Sequence, residues 1–301
     1  MYSNRRPSAS GVSHADASSI PEPKKLTKLL TIKPIQTMEQ NEDQELELHD
    51  YEVRDGEIII PEGTTYLQCE DFWGRTDFTR IVIPDSVTTM DEYQFDGCTN
   101  LKSVVLSNSV DTIRTLTFRD CTSLESITIP PSVKRIDDFA FVGCTNLKRF
   151  FLPKTVEYVG IGLFASCDNL TRIEVEEGSK HFDSRDNCNA IIHKDFEGIR
   201  CACKATTFPD SVMEIECYAY YKCTELRQLV IPHSLVRIGS KAFFGCTGLE
   251  SITLPEKILY FEDWSLETCT NLKTIIVPKG RAQYYCDRFL PEDLHHLVVE
   301  Q

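Results

Sequence analysis

Residues 121–141 read Cys-Thr-Ser-Leu-Glu-Ser-Ile-Thr-Ile-Pro-Pro-Ser-Val-Lys-Arg-Ile-Asp-Asp-Phe-Ala-Phe, and the landmarks in this stretch recur 23 residues away. Cys98, Cys121, Cys144 and Cys167 keep that step, as do Cys223, Cys246 and Cys269. A leucine stands three residues after each of them: Leu101, Leu124, Leu147, Leu170, Leu226, Leu249 and Leu272. A fixed period of this size marks a solenoid, in which each repeat is one coil laid on the last.

Proline registers the array. Pro61, Pro84, Pro130, Pro153, Pro209, Pro232, Pro255 and Pro278 share one position, and Ser107 takes it once. Three residues later stand Val87, Val110, Val133, Val156, Val212, Leu235 and Ile258. Six residues after the proline come Met90, Ile113, Ile136, Val159, Ile215, Ile238 and Phe261. Eleven after it come Phe72, Phe95, Phe118, Phe141, Phe164, Tyr220, Phe243 and Leu266. Each coil therefore directs two aliphatic positions, an aromatic, a cysteine and a leucine into one core, and each buried aromatic contributes about 2–3 kcal/mol.

The segment before each proline reads as a strand. In Leu-Lys-Ser-Val-Val-Leu, residues 101–106, Val104 and Leu106 face inward, so Ser103 and Val105 face outward, because strand side chains alternate. Proline then ends the strand, having no N–H to give the ladder. Two outward columns follow. The first is Arg80, Ser103, Ser126, Arg149, Arg172, Gln228, Ser251 and Thr274; the second is Val82, Val105, Thr128, Phe151, Glu174, Val230, Thr253 and Ile276. Most are small or β-branched, as any exposed strand prefers. Phe151 beside Arg149 and Arg172 is different, since an exposed aromatic between two arginines has the composition of a protein hot spot. Packing of Phe151 under the neighbouring insert is the competing reading. The columns Arg80, Val82, Ser103, Val105, Ser126, Thr128, Arg149, Phe151, Arg172, Glu174, Gln228 and Val230 are the candidate partner-binding face.

One interruption breaks the period. Pro153 to Pro209 is 56 residues, one repeat with 33 extra. The insert, about residues 176–208, reads as a β-hairpin turning at Asp195 to Gly198. With the turn centred on Asp195-Phe196, Cys188 and Cys203 fall opposite each other. The domain plan is a disordered tail over residues 1–40, a capping hairpin over 41–60 that turns at Asp55-Gly56, a solenoid over 61–278, and a C-terminal cap over 279–301.

The 121–141 stretch is similar to the hallmark of the BspA-like (bacterial surface protein A-like) leucine-rich repeat family. The insert, with Asp183 to Ile192 followed by Cys203-Lys204, resembles a segment that interrupts arrays in that family. Val277-Pro278-Lys279-Gly280, a short helix and Leu297-Val298-Val299-Glu300 resemble its capping end. The resemblance covers roughly residues 56–300. It implies a right-handed leucine-rich repeat coil with a parallel β-sheet face. It also implies, in many members, cell-surface adhesion or host interaction; the expectation for this chain departs from that, because its sequence shows no signal peptide, wall anchor or membrane tail.

Composition limits the partners. The net charge is −14, which disfavours broad binding to phosphate-bearing nucleic acid or anionic membrane. No apolar run nears the ~20 residues of a membrane helix. Met1 to Asp16 lacks an apolar core, so a cytoplasmic location is the expectation, with cell surface or secretion the alternative for a trimmed chain. The 13 cysteines mostly share one repeat position. Neighbouring coils about 4.8 Å apart hold their Cβ vectors parallel rather than convergent, so they read as reduced thiols acting as small hydrophobes.

Other signals are weaker. His181, Cys188, His193, Cys201 and Cys203 have zinc-ligand types but no familiar spacing; a thiol pair at Cys188 and Cys203 is the leading reading, with a disulfide or a metal site behind it. Asn169-Leu170-Thr171 is a glycosylation sequon whose Leu170 is a core position. The acidic run 39–52 reads as a solvated approach to the first coil. None of His14, His49, His181, His193, His233, His295 or His296 lies in a nucleophile, zincin or phosphate-loop motif. The expectation is a non-enzymatic, cofactor-free, monomeric module that binds another protein or peptide, with an adhesin for matrix or glycan and a structural spacer as alternatives.

Overall fold

A computed structural model describes residues 49–301. The expected tail and the part of the expected capping hairpin up to Leu48 lie outside the described residues. The described chain opens with an antiparallel hairpin, Val53–Arg54 against Glu57–Ile59, turning at Asp55 and Gly56, both at positive φ. Its second strand starts a parallel ladder. Glu57–Ile59 pairs with Arg80–Val82, which pairs with Ser103–Val105. Arg149–Leu152 pairs with Arg172–Val175. Gln228–Val230, Ser251–Thr253, Thr274–Val277 and Val298–Glu300 follow in parallel. Every one of these pairs is 23 residues apart, as Arg149↔Arg172 and Ser251↔Thr274 illustrate. Residues 126–128 carry no strand assignment, yet Ile127 is buried between exposed Ser126 and Thr128.

A second ladder runs along each coil five and six residues after the proline. It contains Tyr66–Leu67 with Thr89–Met90, then Thr112–Ile113, Arg135–Ile136 and Tyr158–Val159. Glu214–Ile215, Arg237–Ile238 and Tyr260–Phe261 continue it past the insert.

Between the ladders sits the core. Its aromatic column stacks ring on ring, with Phe95 to Phe118 at 5.4 Å and Phe118 to Phe141 at 5.3 Å between centroids. The cysteine column does more than fill space. The Sγ of Cys98, Cys121, Cys144 and Cys167 donates to the carbonyls of Phe72, Phe95, Phe118 and Phe141, at 3.1–3.2 Å. Cys246 and Cys269 repeat this on Tyr220 and Phe243. A buried carbonyl at the aromatic position needs a donor, and a thiol supplies one at nearly the volume of a small hydrophobe. Arg75, which stands where the first coil would have its cysteine, donates instead to the carbonyl of Tyr51, whose ring stacks on Phe72.

Each coil also makes a tight double turn. The residues nine and thirteen after the proline adopt positive φ in coil after coil. Tyr93, Leu116, Phe139, Gly162, Tyr218, Lys241 and Trp264 form the first such column. Gly74, Gly97, Asp120, Gly143, Ser166, Lys222, Gly245 and Thr268 form the second. Non-glycine residues at left-handed φ are costly. Where a regular coil follows, its carbonyls hold the turn N–H groups, as in Phe118 N to Ala140 O at 2.8 Å and Asp120 N to Val142 O at 2.9 Å.

The insert is a hairpin, Ala190–His193 against Gly198–Ala202, with Phe182–Asp183 on its outer edge. It enters the stack rather than hanging off it. Ile199 pairs with Ile215, while the Arg200 guanidinium reaches the carbonyl of Val159 at 2.8 Å. Ile191, Cys201 and Cys203 join the core of the N-terminal coils. Ala190, Ile192, Ile199 and Ala202 join that of the C-terminal coils. The hairpin is therefore a partition buried on both faces, which is why its strands are nearly continuous in apolar residues instead of alternating.

Candidate functional site

The twelve candidate positions all lie on the outer face of the first ladder. Arg80, Val105, Ser126, Thr128, Arg149, Phe151, Arg172, Gln228 and Val230 are exposed, and Val82, Ser103 and Glu174 are half-buried. The residues between them, Ile81, Val104, Ile127, Phe150, Ile173 and Leu229, are buried. Pleating alone produces this division.

Phe151 is 49 % exposed. Glu174 lies opposite it on the neighbouring strand, and Arg149 lies opposite Arg172. Arg172 spends its guanidinium on Glu174, at 2.7 Å along its own strand. Arg149 has no carboxylate partner among the described residues. The insert does not cover Phe151. Instead Phe151, Arg172, Glu174, Glu176, Ser184 and Asn187 line a cleft of about 660 Å³ between the ladder and the insert. At its rim, Lys154 bonds Glu176 at 2.9 Å and holds that carboxyl below its ordinary range.

The insert does not assemble its histidines and cysteines. His193 stacks on Phe196 at 4.7 Å and edges onto Phe182. Cys188 Sγ lies on the carbonyl of Ala190 and Cys203 Sγ on that of Asn189. The expected facing of Cys188 and Cys203 is corrected. The register slips between Ile191 and Ile192, so Ile192 pairs with Ile199 and Ile191 with Cys201. That slip is a bulge, which adds one residue to a strand and re-aims it. Here the extra residue is Arg200, which pairs with Glu216 at 3.1 Å. Both cysteines are free thiols.

Among the described residues, Cys69, Glu70 and Asp91 bring potential metal-binding atoms within 4.8 Å of one another. Burial, and then the hydrogen bond from Cys69 to Glu70, push that thiol up to about 12. A thiol held protonated is a poor ligand. The trio is a hydrogen-bonded group at the start of the stack, joined by the Tyr66 hydroxyl donating to Asp91 at 2.5 Å.

The double-turn face carries a second set of aromatics that the reading from the sequence passed over. Lys241 Nζ lies among three rings, 5.5 Å from Tyr218, 5.9 Å from Phe244 and 5.2 Å from Trp264. Nearer the start, Arg119 lies over Tyr93 at 5.6 Å, and its Nε donates to Asp96 at 2.7 Å in a buried pair. The signal was available, because these residues keep the same 23-residue register at nine and twelve after the proline. Their chemical variety, from tyrosine to lysine to glycine, hid the column. Asn169 of the sequon donates its side-chain amide to the carbonyl of Thr145 at 2.9 Å, a contact repeated by Asn100 and Asn271 with Thr76 and Thr247.

A ladder of coils at a constant 23-residue register, sealed by thiol-to-carbonyl bonds and interrupted by a partition hairpin, coincides with one sequence family. The chain matches the "BspA type Leucine rich repeat region (6 copies)" over residues 65–191 and 189–299. This chain belongs to the BspA-type leucine-rich repeat family. Repeat proteins of this family are generally interaction or surface-associated proteins and typically non-enzymatic. Among solved structures, a leucine-rich repeat protein from Bacteroides ovatus is similar at 23 % identity and a TM-score of 0.46, over 81 % of this chain and 70 % of that one. The pneumococcal vaccine antigen PcpA is similar at 21 % identity and 0.49, over 66 % of this chain and 62 % of that one. A leucine-rich repeat protein of T. pallidum is similar at 20 % identity and 0.45, over 69 % and 91 %. No curated protein matches the chain. Among the described residues, no helix is long and apolar enough to cross a membrane.

Proposed function

We propose that this BspA-type repeat chain is a protein-interaction module that presents the outer face of its first ladder to another protein or peptide. The observation that supports this most directly is Phe151. A large aromatic stands half-exposed at the mouth of a cleft, and two residues before it on the same strand is Arg149, which has no carboxylate partner among the described residues. A partner that covers the exposed half of this ring gains about 1 kcal/mol from apolar burial. Arginine beside an aromatic adds a donor fork that reads carboxylates or backbone carbonyls. Val105 and Val230 extend the same face with exposed apolar contact area.

The test is capture of proteins from an extract on the immobilised full chain, compared with Phe151→Ala and with Arg149→Glu. One dominant partner, retained by the parent chain and lost by both variants at unchanged melting temperature, is the expected result. Equal capture by all three chains sinks the strand-face reading.

A further inference from the structure

We infer that the C-terminal end of the stack is a second docking site, built to take a basic, extended peptide segment of a partner protein. It is a different surface from the strand face and stands whether or not that face binds anything.

The inference starts from the direction of the turn hydrogen bonds. In the coils of Tyr93, Leu116, Phe139, Tyr218 and Lys241, three alternate N–H groups of the double turn donate to the next coil, whereas beside the insert Ser166 alone keeps such a bond, to Lys222. Tyr93, Phe95 and Gly97 donate to Thr115, Thr117 and Arg119; Lys241, Phe243 and Gly245 donate to Asp263, Ser265 and Glu267. The next set in register is Trp264, Leu266 and Thr268. No further coil follows on this side. The chain instead goes to the helix Ala282–Arg288 and the 3-10 turn Glu292–Leu297. Among the described residues, none of these three N–H groups has an acceptor. The edge of a ladder with its donors unpaired is a template for another backbone.

The cap does not close over that edge. A groove of about 820 Å³ remains between the last coil and the cap. Its apolar lining includes Leu266, Leu272, Phe289 and Leu294, and Trp264 stands 60 % exposed at its border. The charge of the lining selects the occupant. Asp263, Glu267 and Asp293 line the groove, all are exposed, and none has a cationic partner among the described residues; the one arginine of the lining, Arg288, lies over Tyr284 and Phe289 instead. A peptide with carbonyls at alternate residues satisfies the three donors. Lysine or arginine side chains on it then meet the three carboxylates, and an apolar residue enters between Leu266 and Phe289. An acidic peptide meets like charge in the same place.

The probes are two fluorescein-labelled nonapeptides, one alternating lysine with leucine and serine, the other with glutamate at every lysine. The expected result with the full chain is saturable anisotropy for the lysine peptide and none for the glutamate peptide. Binding falls at least tenfold in the exposed double variant Glu267→Lys, Asp293→Lys, whose melting temperature is unchanged. Bound peptide slows hydrogen exchange at the amides of Trp264, Leu266 and Thr268 at least tenfold. The variant Phe151→Ala binds the peptide as the parent does, so failure here is separable from failure of the strand face. Absence of binding by the lysine peptide, equal binding of both peptides, or binding with unchanged exchange at the three amides overturns the proposal.

Discussion

The cysteine column links a single side chain to the behaviour of the fold in alkali. Burial pushes the thiols of Cys98 and Cys269 up to about 12 and those of Cys121, Cys144, Cys167 and Cys246 well above 9.0. Above pH 9 the unfolded chain therefore loses thiol protons that the folded chain keeps. The folded state then binds more protons, so stability falls as pH rises. The contribution is complete below pH 9 and is lost as pH climbs toward the folded values. At pH 10 each such thiol costs on the order of 1 kcal/mol. The urea midpoint should hold up to about pH 8.5 and drop steeply above about pH 9, and a Cys121→Ala, Cys144→Ala double variant should show a shallower drop. The same drop in both chains would remove the thiols as its cause. The inward aim of these cysteines was legible from their period. Their bond to the aromatic carbonyl was not, because it spans 26 residues, three more than the repeat.

At the scale of the element, the double turn and the insert show what a period conceals. Gly162 stands in the left-handed column where its neighbours are Phe139 and Tyr218. A Cβ on Gly162 would lie 2.1 Å from Phe139 Cε1. The missing side chain lets the buried Phe139 ring reach Tyr218, at 5.7 Å across the coil of Gly162. Gly162→Ala meets both the clash and the positive φ, and should cost about 2–4 kcal/mol, more than a φ penalty of about 1 kcal/mol alone. Chemical denaturation of that variant beside Phe139→Ala, Gly162→Ala checks the account. The second substitution should recover part of the loss if the clash is its source. The insert was legible as a hairpin from its turn and its length. Its bulge was not, because Arg200 looks like an ordinary exposed strand residue until Val159 and Glu216 are placed beside it. The strand face was legible for the opposite reason, since alternation is local and needs no knowledge of the neighbouring coil.

Across the whole stack, each coil touches mainly its neighbours, so damage to one coil is felt by the two beside it. Phe118 stacks between Phe95 and Phe141 and is wholly buried. Phe118→Ala should lower stability by about 3–5 kcal/mol, and native-state hydrogen exchange should show the loss concentrated in residues 95–165. Uniform loss out to residue 275 would instead mean that the array behaves as one indivisible unit. The partition hairpin argues against such unity, because it divides the greasy interior into two clusters, one on each of its faces, bridged beyond it by contacts such as Phe139 on Tyr218. Such a seam behaves as a fuse under load. Held at residues 49 and 301 and drawn apart, the molecule should yield in two force peaks, one for the coils on each side of the partition.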